Sequence, residues 1–427
     1  MALLSLVVDS PVLPWRLRNA FERWAETRCR SSLPGVYRWL HFGRAVDSLK
    51  PVTRGPRHHF FGYYDKSPWN ASGTRMLAHE VDFNDRPPRA EDSVTLGLVQ
   101  VDRQNGFEAV ATTSAWNWQQ GAMLQWHPAD PEGTFVHNDC RDGAHVGIVR
   151  ALDGRELRSY VRPIYAVAPD GRSAYSLNFA RLQTHRPGYG YAGSTDPWVD
   201  DPAPEQDGVH VVDLESGVSR LVVSLAALSR IEPTESMRKG FHYVNHVQVS
   251  PGGKRVAFFH LWRTGDTTWE VRLYTTDPDG GNLRCIVDTG RVSHYDWLDD
   301  RRILVWAHHP ERGDRFLLCD EHQRSMVVFG EGSLTEDGHC SFSPDRKWVL
   351  NDTYPDRYDM RTLMLVHFDE QKRFDLARLH SPKSRWWGEI RCDLHPRWSR
   401  DGTKLCVDSV HEGTRQMYVM DVARWVR

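Results

Sequence analysis

A turn phrase that recurs along the chain constrains its fold more than any other feature. From about His58 onward, a short β-prone run leads into a turn rich in Pro, Asp and Gly, and a second β-prone run follows it. Half of the intervals between successive turns are roughly 40 to 50 residues, the period of four-stranded repeats. The seven turns lie at residues 67–73, 127–133, 168–171, 250–253, 298–301, 343–346 and 399–402.

The strands beyond each turn extend the repeat. Several repeats carry a third β-prone run, such as Thr95–Asp102 and Gln416–Asp421. Repeats of this kind cannot bury their apolar faces alone, and radial stacking solves that problem while protecting the strand edges. The sequence therefore predicts an all-β fold, a seven-bladed β-propeller over residues 57–427. Residues 184–207, rich in Gly, Pro and Asp, are predicted to form a loop insertion on one face. Whether the first and last blades share strands stays open.

Residues 1–56 differ in character from the repeats. Between Pro14 and Phe42, aromatic residues alternate with arginines, which predicts one or two amphipathic helices in a short helical N-terminal extension. These helices could pack on the propeller, or they could contact an anionic membrane surface or a glycan-assembly apparatus. No apolar run has the length of a membrane span, and the first residues lack the basic leader of a secretory signal.

Composition narrows the class of protein. With 54 basic and 56 acidic side chains, the chain lacks the positive charge that binding to nucleic-acid phosphates requires, so no nucleic-acid partner is expected. The seven cysteines are scattered and form no CxxC pair, which favours reduced thiols and a cytoplasmic localisation. The 17 tryptophans suit stacking on sugar rings, although propeller cores also use Trp.

A histidine register is the strongest indication of a functional site. In four successive repeats a histidine precedes the second turn residue by five positions, and Tyr63 and Ile164 occupy that place in the first and third repeats. Equivalent positions on the innermost strands of a propeller converge on its central channel. Three imidazoles with an open position would suit Zn²⁺ or Mn²⁺. The alternative is a structural motif inherited with the repeat. The four histidines are His246, His294, His339 and His395.

The third repeat contains a predicted hairpin, Ile164–Arg181, with its turn at Pro169-Asp170-Gly171. Antiparallel pairing of its arms would bring Tyr165, Asn178 and Arg181 to one sheet edge. The alternative is a half-buried strand tyrosine and a solvated arginine.

The repeats, the His-x-x-x-Ser-Pro-x-Gly phrase at His246 and the 164–181 hairpin resemble the seven-bladed polysaccharide lyases: the ulvan lyases and, more distantly, the oligogalacturonate lyases. The resemblance implies a lyase that cleaves uronate-containing glycans by β-elimination, with Tyr165 as acid/base and Arg181 following it at the separation seen in ulvan lyases. It extends to His246 and Asn138 as further active-site groups. The oligogalacturonate lyases imply a divalent metal ion on His294, His339 and His395.

The chemistry fits these residue types. β-Elimination of a uronate needs a cation at the carboxylate, a base for the C5 proton and an acid for the departing oxygen. Arg181 suits the first task and Tyr165 the other two, with His246 or His59 sharing the proton. Weaker candidates for substrate binding are Arg238, Tyr63, Asn178 and Tyr189.

Two other functions remain open. One is a non-catalytic propeller that binds glycan or protein during polysaccharide assembly. The other is a glycoside hydrolase, although no motif in the chain places the pair of catalytic groups that hydrolysis needs.

Overall fold

Seven four-stranded antiparallel sheets make up the fold. The computed structural model describes residues 48–103, 106–265 and 268–427. The sheets follow one another along the chain as the blades of a propeller, so the prediction of an all-β seven-bladed propeller is confirmed. The helices predicted between Pro14 and Phe42 lie outside the described residues.

The strands are numbered in chain order, and each of the first four blades is built from consecutive strands. The first blade contains β2 (His58–Phe60), β3 (Arg75–Val81), β4 (Val94–Gln100) and β5 (Phe107–Thr113). The second contains β6 (Gln125–Trp126), β7 (Thr134–Arg141), β8 (Ala144–Ala151) and β9 (Glu156–Tyr160). The third contains β10 (Ala166–Val167), β11 (Ser173–Ser176), β12 (Gly208–Asp213) and β13 (Ser219–Ser224). The fourth contains β14 (Phe241–Val249), β15 (Val256–Thr264), β16 (Thr268–Thr276) and β17 (Arg284–Gly290).

The remaining blades follow the same plan until the ring closes. The fifth contains β18 (Val292–Trp297), β19 (Arg302–His309), β20 (Gly313–Asp320) and β21 (Ser325–Val328). The sixth contains β22 (Ser341–Phe342), β23 (Trp348–Asp352), β24 (Met360–His367) and β25 (Arg373–His380). The seventh contains β26 (Arg397–Trp398), β27 (Lys404–Ser409), β28 (Gln416–Asp421) and β1 (Leu49–Pro51).

Each predicted turn joins the first two strands of its blade. In the third blade the Gly171 N–H donates to the Ala168 carbonyl at 2.9 Å, and Gly171 has a φ of +67°. The Asp170 carboxylate accepts from the Arg172 N–H at 2.9 Å. The reversal therefore depends on the local Pro-Asp-Gly chemistry that the sequence showed.

The circle closes by mixing strands from the two ends of the chain. β1 pairs antiparallel with β28, so that Leu49 lies opposite Met420. Leu49 is 7% exposed and packs in one apolar cluster with Tyr418 and Met420. The outer strand of the last blade thus comes from the stretch that the sequence assigned to the N-terminal extension.

In the described part of the chain, four short helices connect or follow the blades: α1 (Phe179–His185), α2 (Leu225–Arg230), α3 (Glu235–Lys239) and α4 (Ala423–Val426). A 3₁₀ turn covers Gly388–Ile390. Among the residues that the structure describes, no helix has the length and apolarity needed to span a bilayer.

The prediction that the second arm of the 164–181 hairpin continues as a strand is wrong beyond Ser176. β11 ends there, and α1 begins at Phe179. Asn178 is the N-cap of this helix, since its side chain accepts the Arg181 N–H at 3.0 Å. Capping by a short amide side chain competes with strand pairing, and here it directs the chain into a helix.

Candidate functional site

Side chains from equivalent positions of the blades meet at the centre of the propeller, which we call the hub. The ring centroids of His294 and His339 are 4.1 Å apart, and those of His339 and His395 are 4.3 Å apart. His246 lies 6.3 Å from His294, and Tyr63 lies about 5 Å from both His246 and His395. The predicted convergence of the four imidazoles is confirmed, and Tyr63 joins them.

The backbone is unusual at two of these positions. His246 and His395 have φ values of +54° and +41°, in the left-handed region that residues with a Cβ seldom adopt. At His246 the pairing of β14 with β15 shifts register between Asn245 and Gln248. Strained backbone of this kind concentrates at functional sites, because the surrounding fold must stabilise it.

Three groups in the hub could hold a metal ion. One donor atom each from His339, Asp393 and His395 lies within 4.8 Å of the others, and all three residues are buried. The Nε2 atoms of His339 and His395 are buried without a hydrogen-bond partner. The Nδ1 atom of His339 pairs with Asp352 Oδ1 at 2.8 Å. If Nδ1 carries the proton, Nε2 is free for a metal ion. Two imidazoles and a carboxylate fit Mn²⁺ or Zn²⁺.

Two guanidinium groups keep Asp393 ionised. Arg361 Nη2 lies 2.6 Å from Asp393 Oδ1, and Arg391 Nε donates to Oδ2 at 2.7 Å. Burial would raise the pKa of this carboxyl, but the charges of Arg391 and Arg361 hold it well below its usual range. Burial lowers the pKa of His395 well below its ordinary value, so this imidazole is neutral. A carboxylate and a neutral imidazole are the forms that bind metal ions.

The predicted metal triad therefore needs one correction. Asp393, and not His294, completes the set with His339 and His395. The Nδ1 atom of His294 instead pairs with Asp337 Oδ1 at 3.1 Å and lies 3.0 Å from Ser293 Oγ. Asp337 thus competes with a metal ion for His294, whose ring lies beside the triad.

Tyr63 and His246 form a hydrogen-bonded pair next to the triad. The phenol Oη of Tyr63 contacts His246 Nε2, and His246 Nδ1 is buried without a partner. Burial lowers the pKa of His246 well below its ordinary value and raises the pKa of Tyr63 well above its own. Both groups are therefore neutral near pH 7, in the forms that can accept and donate a proton.

A buried ion pair holds the backbone that carries Tyr63. Arg397 Nη2 donates to Asp408 at 2.7 Å and to the Gly62 carbonyl at 2.9 Å. The N–H groups of Phe61 and Gly62 also donate to Asp408, each at 3.2 Å. Gly62 has a φ of +122°, and a Cβ there would lie 2.8 Å from the Gln120 carbonyl. Glycine is required at this approach.

The hub is covered by the insertion and by the link between the last two blades. The ring of Tyr189 lies 5.8 Å from that of His246, and Tyr189 Oη accepts from Arg391 Nη2 at 2.6 Å. Arg186 lies 5.0 Å from the Tyr189 ring centroid, and its Nε is buried without an acceptor. The four imidazoles are only 1–7% exposed. Two cationic groups thus lie near a nearly closed hub.

Tyr165, the predicted acid/base, is buried in the propeller core. Its Oη accepts from Gln120 Nε2 at 2.7 Å, and its ring stacks on Phe179 at 5.9 Å. Burial raises the pKa of this phenol well above its ordinary value. Tyr63, rather than Tyr165, is the tyrosine that pairs with a hub histidine.

Arg181 does not share a sheet edge with Tyr165, so that prediction is wrong. Its Nε donates to the His242 carbonyl at 2.6 Å, and Nη1 donates to Asp196 at 2.9 Å. The remaining donors bond the carbonyls of residues 198, 201 and 202. This arginine is 1% exposed and ties the insertion to α1, leaving no donor for a substrate carboxylate.

Asn178 joins the same structural network away from the hub. Its amide nitrogen donates to Asp196 at 2.9 Å and to Asp207 at 3.0 Å, while its oxygen caps α1. Asn178 was predicted to bind substrate, but in the structure its side chain bonds Asp196, Asp207 and the start of α1.

Three further predicted site residues also lie apart from the hub. The Asn138 side chain donates to the Ile164 carbonyl at 2.9 Å and accepts the Ile164 N–H at 2.6 Å. His59 lies between Gln416 and Glu80, 3.0 Å from each. Arg238 is exposed on α3. These side chains link blades or face solvent, so the structure does not bring them to the imidazoles.

Three residues of the hub and its cover were missed: Asp393, Arg391 and Tyr354. The ring of Tyr354 lies 5.8 Å from that of His339. A signal for Asp393 was present, because Asp393-Leu394-His395 places two metal-binding residue types two positions apart, and one of them belongs to the histidine register. Nothing in the repeat register indicated Arg391 or Tyr354.

Comparisons with known proteins agree with the fold. Neither a family model nor a curated protein sequence matches this chain. The chain is structurally similar to an oligogalacturonate lyase from Vibrio parahaemolyticus, with a TM-score of 0.61 and 12% identity over 88% of this chain and 93% of that chain. It is also similar to an oligogalacturonate lyase in complex with manganese, with a TM-score of 0.62 and 13% identity over the same shares. TolB from Acinetobacter baumannii gives a TM-score of 0.41 and 12% identity over 83% of this chain and 79% of that chain.

At 12–13% identity the similarity to the two oligogalacturonate lyases shows the propeller fold alone. The resemblance to ulvan lyases stays a prediction, since none of these three neighbours is one.

Proposed function

We propose that this protein is a lyase that cleaves uronate-containing oligosaccharides by β-elimination in the hub. One observation carries the proposal: a hydrogen-bonded Tyr63–His246 pair lies beside the donor set of His339, Asp393 and His395. Proton-transfer groups next to a candidate cation site are the parts that uronate elimination requires. The structural similarity to two oligogalacturonate lyases supports this substrate class.

The Tyr63–His246 pair can carry the proton through the reaction. With Nε2–H of His246 donating to Tyr63 Oη, the unpartnered Nδ1 accepts the C5 proton of the uronate. The C5–H electron pair forms the C4–C5 double bond, and the C4–O bond breaks. The departing oxygen takes the proton of Tyr63, which regains one from Nε2 of His246. One proton thus moves from C5 to the leaving group, and no water is consumed.

The carboxylate needs positive charge to make the C5 proton acidic. Arg181 is fully bonded to the protein, whereas Arg186 lies near the hub with an Nε that has no acceptor. We assign Arg186 to the substrate carboxylate, because guanidinium groups bind carboxylates through two parallel hydrogen bonds. A divalent cation held by His339, Asp393 and His395 would add charge neutralisation at the same carboxylate. The manganese complex of a structurally similar lyase supports Mn²⁺ as that cation.

The test is product analysis on oligogalacturonates and other uronate oligosaccharides, with Mn²⁺ present. If the protein catalyses elimination, ultraviolet absorbance should rise because of the new double bond. The masses of the fragments should then sum to the mass of the substrate. Hydrolysis would instead add the mass of one water to the fragments. If none of the uronate oligosaccharides gives an unsaturated product, the proposal is wrong.

One observation favours a second function, a propeller that binds glycan without cleaving it. The hub imidazoles are 1–7% exposed, so a substrate reaches them only if the cover formed by Tyr189 and Arg391 opens. A binding protein would retain oligosaccharides without forming product. Binding measured in parallel with product formation separates the two functions.

A further inference from the structure

A cavity of about 340 Å³ lies between the fourth and fifth blades, next to the hub. Its wall includes Ser293 and Asp337, and both contact Nδ1 of His294 at 3.0 to 3.1 Å. The cavity therefore lies one side chain away from the hub imidazoles. Its volume falls in the range of small-molecule sites.

Two indole rings line this cavity. Trp269 at the start of β16 is 42% exposed, and Trp306 of β19 is half-buried. The Arg186 guanidinium lies 3.9 Å from the Trp269 ring centroid, a cation–π contact that fixes the indole beside the insertion. A large apolar ring left in a concave site offers a stacking surface for the C–H face of a sugar.

Charged groups line the cavity beside the indoles. Arg291 Nη1 lies 3.0 Å from Asp314 Oδ2, and His308 Nδ1 lies 2.7 Å from Asp314 Oδ1. The side chains of Arg291 and Asp314 are 73% and 38% exposed, so their pairing contributes little free energy. Arg291 can therefore exchange Asp314 for the carboxylate of a ligand at small cost.

Arg186 connects the cavity with the hub cover. Its guanidinium lies over both Trp269 and Tyr189, and Tyr189 accepts from Arg391. A ligand that extended from the cavity toward the hub would pass this arginine, which the proposed function assigns to the reacting carboxylate. Trp269, Arg186 and Tyr189 therefore follow one another from the cavity to the hub. Such a row of groups suits a chain of sugar units better than a compact molecule.

We propose that this cavity is a binding subsite for a uronate unit beyond the two that flank the cleaved linkage, with Trp269 stacking on the sugar ring and Arg291 pairing with its carboxylate. The inference rests on the proposed function for its substrate class. It predicts that the protein selects acidic chains long enough to fill both the hub and the cavity. The chain would then lie across the fourth and fifth blades.

The test is a binding titration, followed by intrinsic fluorescence or calorimetry, with di- and pentagalacturonate and a neutral cellopentaose. Trp269→Ala should weaken pentagalacturonate binding at least tenfold and leave digalacturonate, which the hub alone can hold, within about threefold. Trp269→Phe should recover most of the loss. Trp387→Ala is the matched control, because Trp387 is 64% exposed and does not line the cavity. Arg291→Gln should remove the preference for the acidic pentamer over the neutral one.

The outcomes separate this inference from the proposed function. Binding that depends on Trp269 without product formation would support the subsite and contradict the lyase. Product formation with equal affinities and KM values for Trp269→Ala, Trp387→Ala and wild type would overturn the subsite alone. A wild-type protein that binds no acidic oligosaccharide at millimolar concentration would overturn the subsite as well.

Discussion

Tyr63 and Arg181 show how two buried polar side chains can differ in the hydrogen bonding of their surroundings. Both side chains are nearly excluded from solvent. Arg181 uses every N–H on an acceptor of the protein, whereas Tyr63 bonds a histidine whose second nitrogen has no partner. Fully satisfied buried groups stabilise the fold, while unsatisfied ones cost free energy and are retained where function needs them.

The Tyr63 hydroxyl should matter for turnover and little for folding. Tyr63→Phe removes the proton donor but keeps the ring, so we expect kcat to fall roughly 100- to 10,000-fold, as for other general acids. KM should change little. Tyr160→Phe is the control, because its hydroxyl donates to the Leu214 carbonyl at 2.8 Å, away from the hub. Initial rates of unsaturated-product formation measure both variants, and equal rates would rule out Tyr63 as the donor.

Arg181 should matter for folding. Arg181→Ala leaves the buried Asp196 carboxylate without its ion-pair partner at 2.9 Å, a change that costs about 3–5 kcal/mol in buried pairs. Denaturant unfolding should show this loss of unfolding free energy. Arg230→Ala is the matched control, because the Arg230–Glu205 pair is about 70% exposed and should contribute little. A wild-type unfolding curve for Arg181→Ala would contradict the structural role.

At the scale of strands, buried neutral histidines connect neighbouring segments through hydrogen bonds. The His79 ring of β3 pairs through Nδ1 with the Phe60 carbonyl at 3.2 Å, and its Nε2 accepts the Ala122 N–H at 2.9 Å. Protonation of Nε2 would break the second bond. Burial lowers the pKa of His79 to about 3 and that of His137 in β7 to about 4.

These histidines should make the fold sensitive to acid. Below about pH 6.5 the unfolded chain takes up protons that folded His79 and His137 do not accept, so the unfolding free energy falls as the pH decreases toward 4. Each group should contribute a loss of about 2 kcal/mol at pH 5 relative to pH 7. Urea unfolding at both pH values measures the loss. His79→Gln should reduce the pH dependence, and a stability that is unchanged between pH 7 and pH 5 would contradict this account.

At the scale of the whole molecule, β1 closes the ring. Leu49–Pro51 pairs with Met420–Tyr418 and provides the outer edge of the seventh blade. Since each blade contacts only its neighbours, an open ring would leave the first and seventh blades with weaker support.

Removing β1 should therefore destabilise the propeller. A chain that starts at Thr53 is compared with a chain that starts at Ser48, so that only the strand and its two flanking residues differ. We expect a lower unfolding midpoint for the shorter chain, with early loss of structure in the seventh blade seen by hydrogen exchange. Identical midpoints and exchange would show that the strand contributes nothing to closure.

The sequence predicted the fold and part of the hub for reasons that the structure makes clear. The turns depend on local Pro, Asp and Gly chemistry, and the histidines share one register, so both could be recognised along the chain. Arg181 was misplaced because Asn178 caps a helix where the β-prone run after the turn suggested a strand. Asp393, Arg391 and Tyr354 lie outside the register and reach the hub or its cover only through the folded links between strands.

Manganese dependence of product formation tests the central claim most directly, that the hub is a metal-assisted lyase site. After chelation, the wild-type protein should form no unsaturated uronate from oligogalacturonate, and Mn²⁺ should restore the rate with about one ion per chain by elemental analysis. Asp393→Asn should neither retain the ion nor recover, whereas the control Glu80→Gln, at the His59 pair outside the hub, should behave as wild type. A full rate in chelator, or an Asp393→Asn variant as active as wild type, would contradict the account.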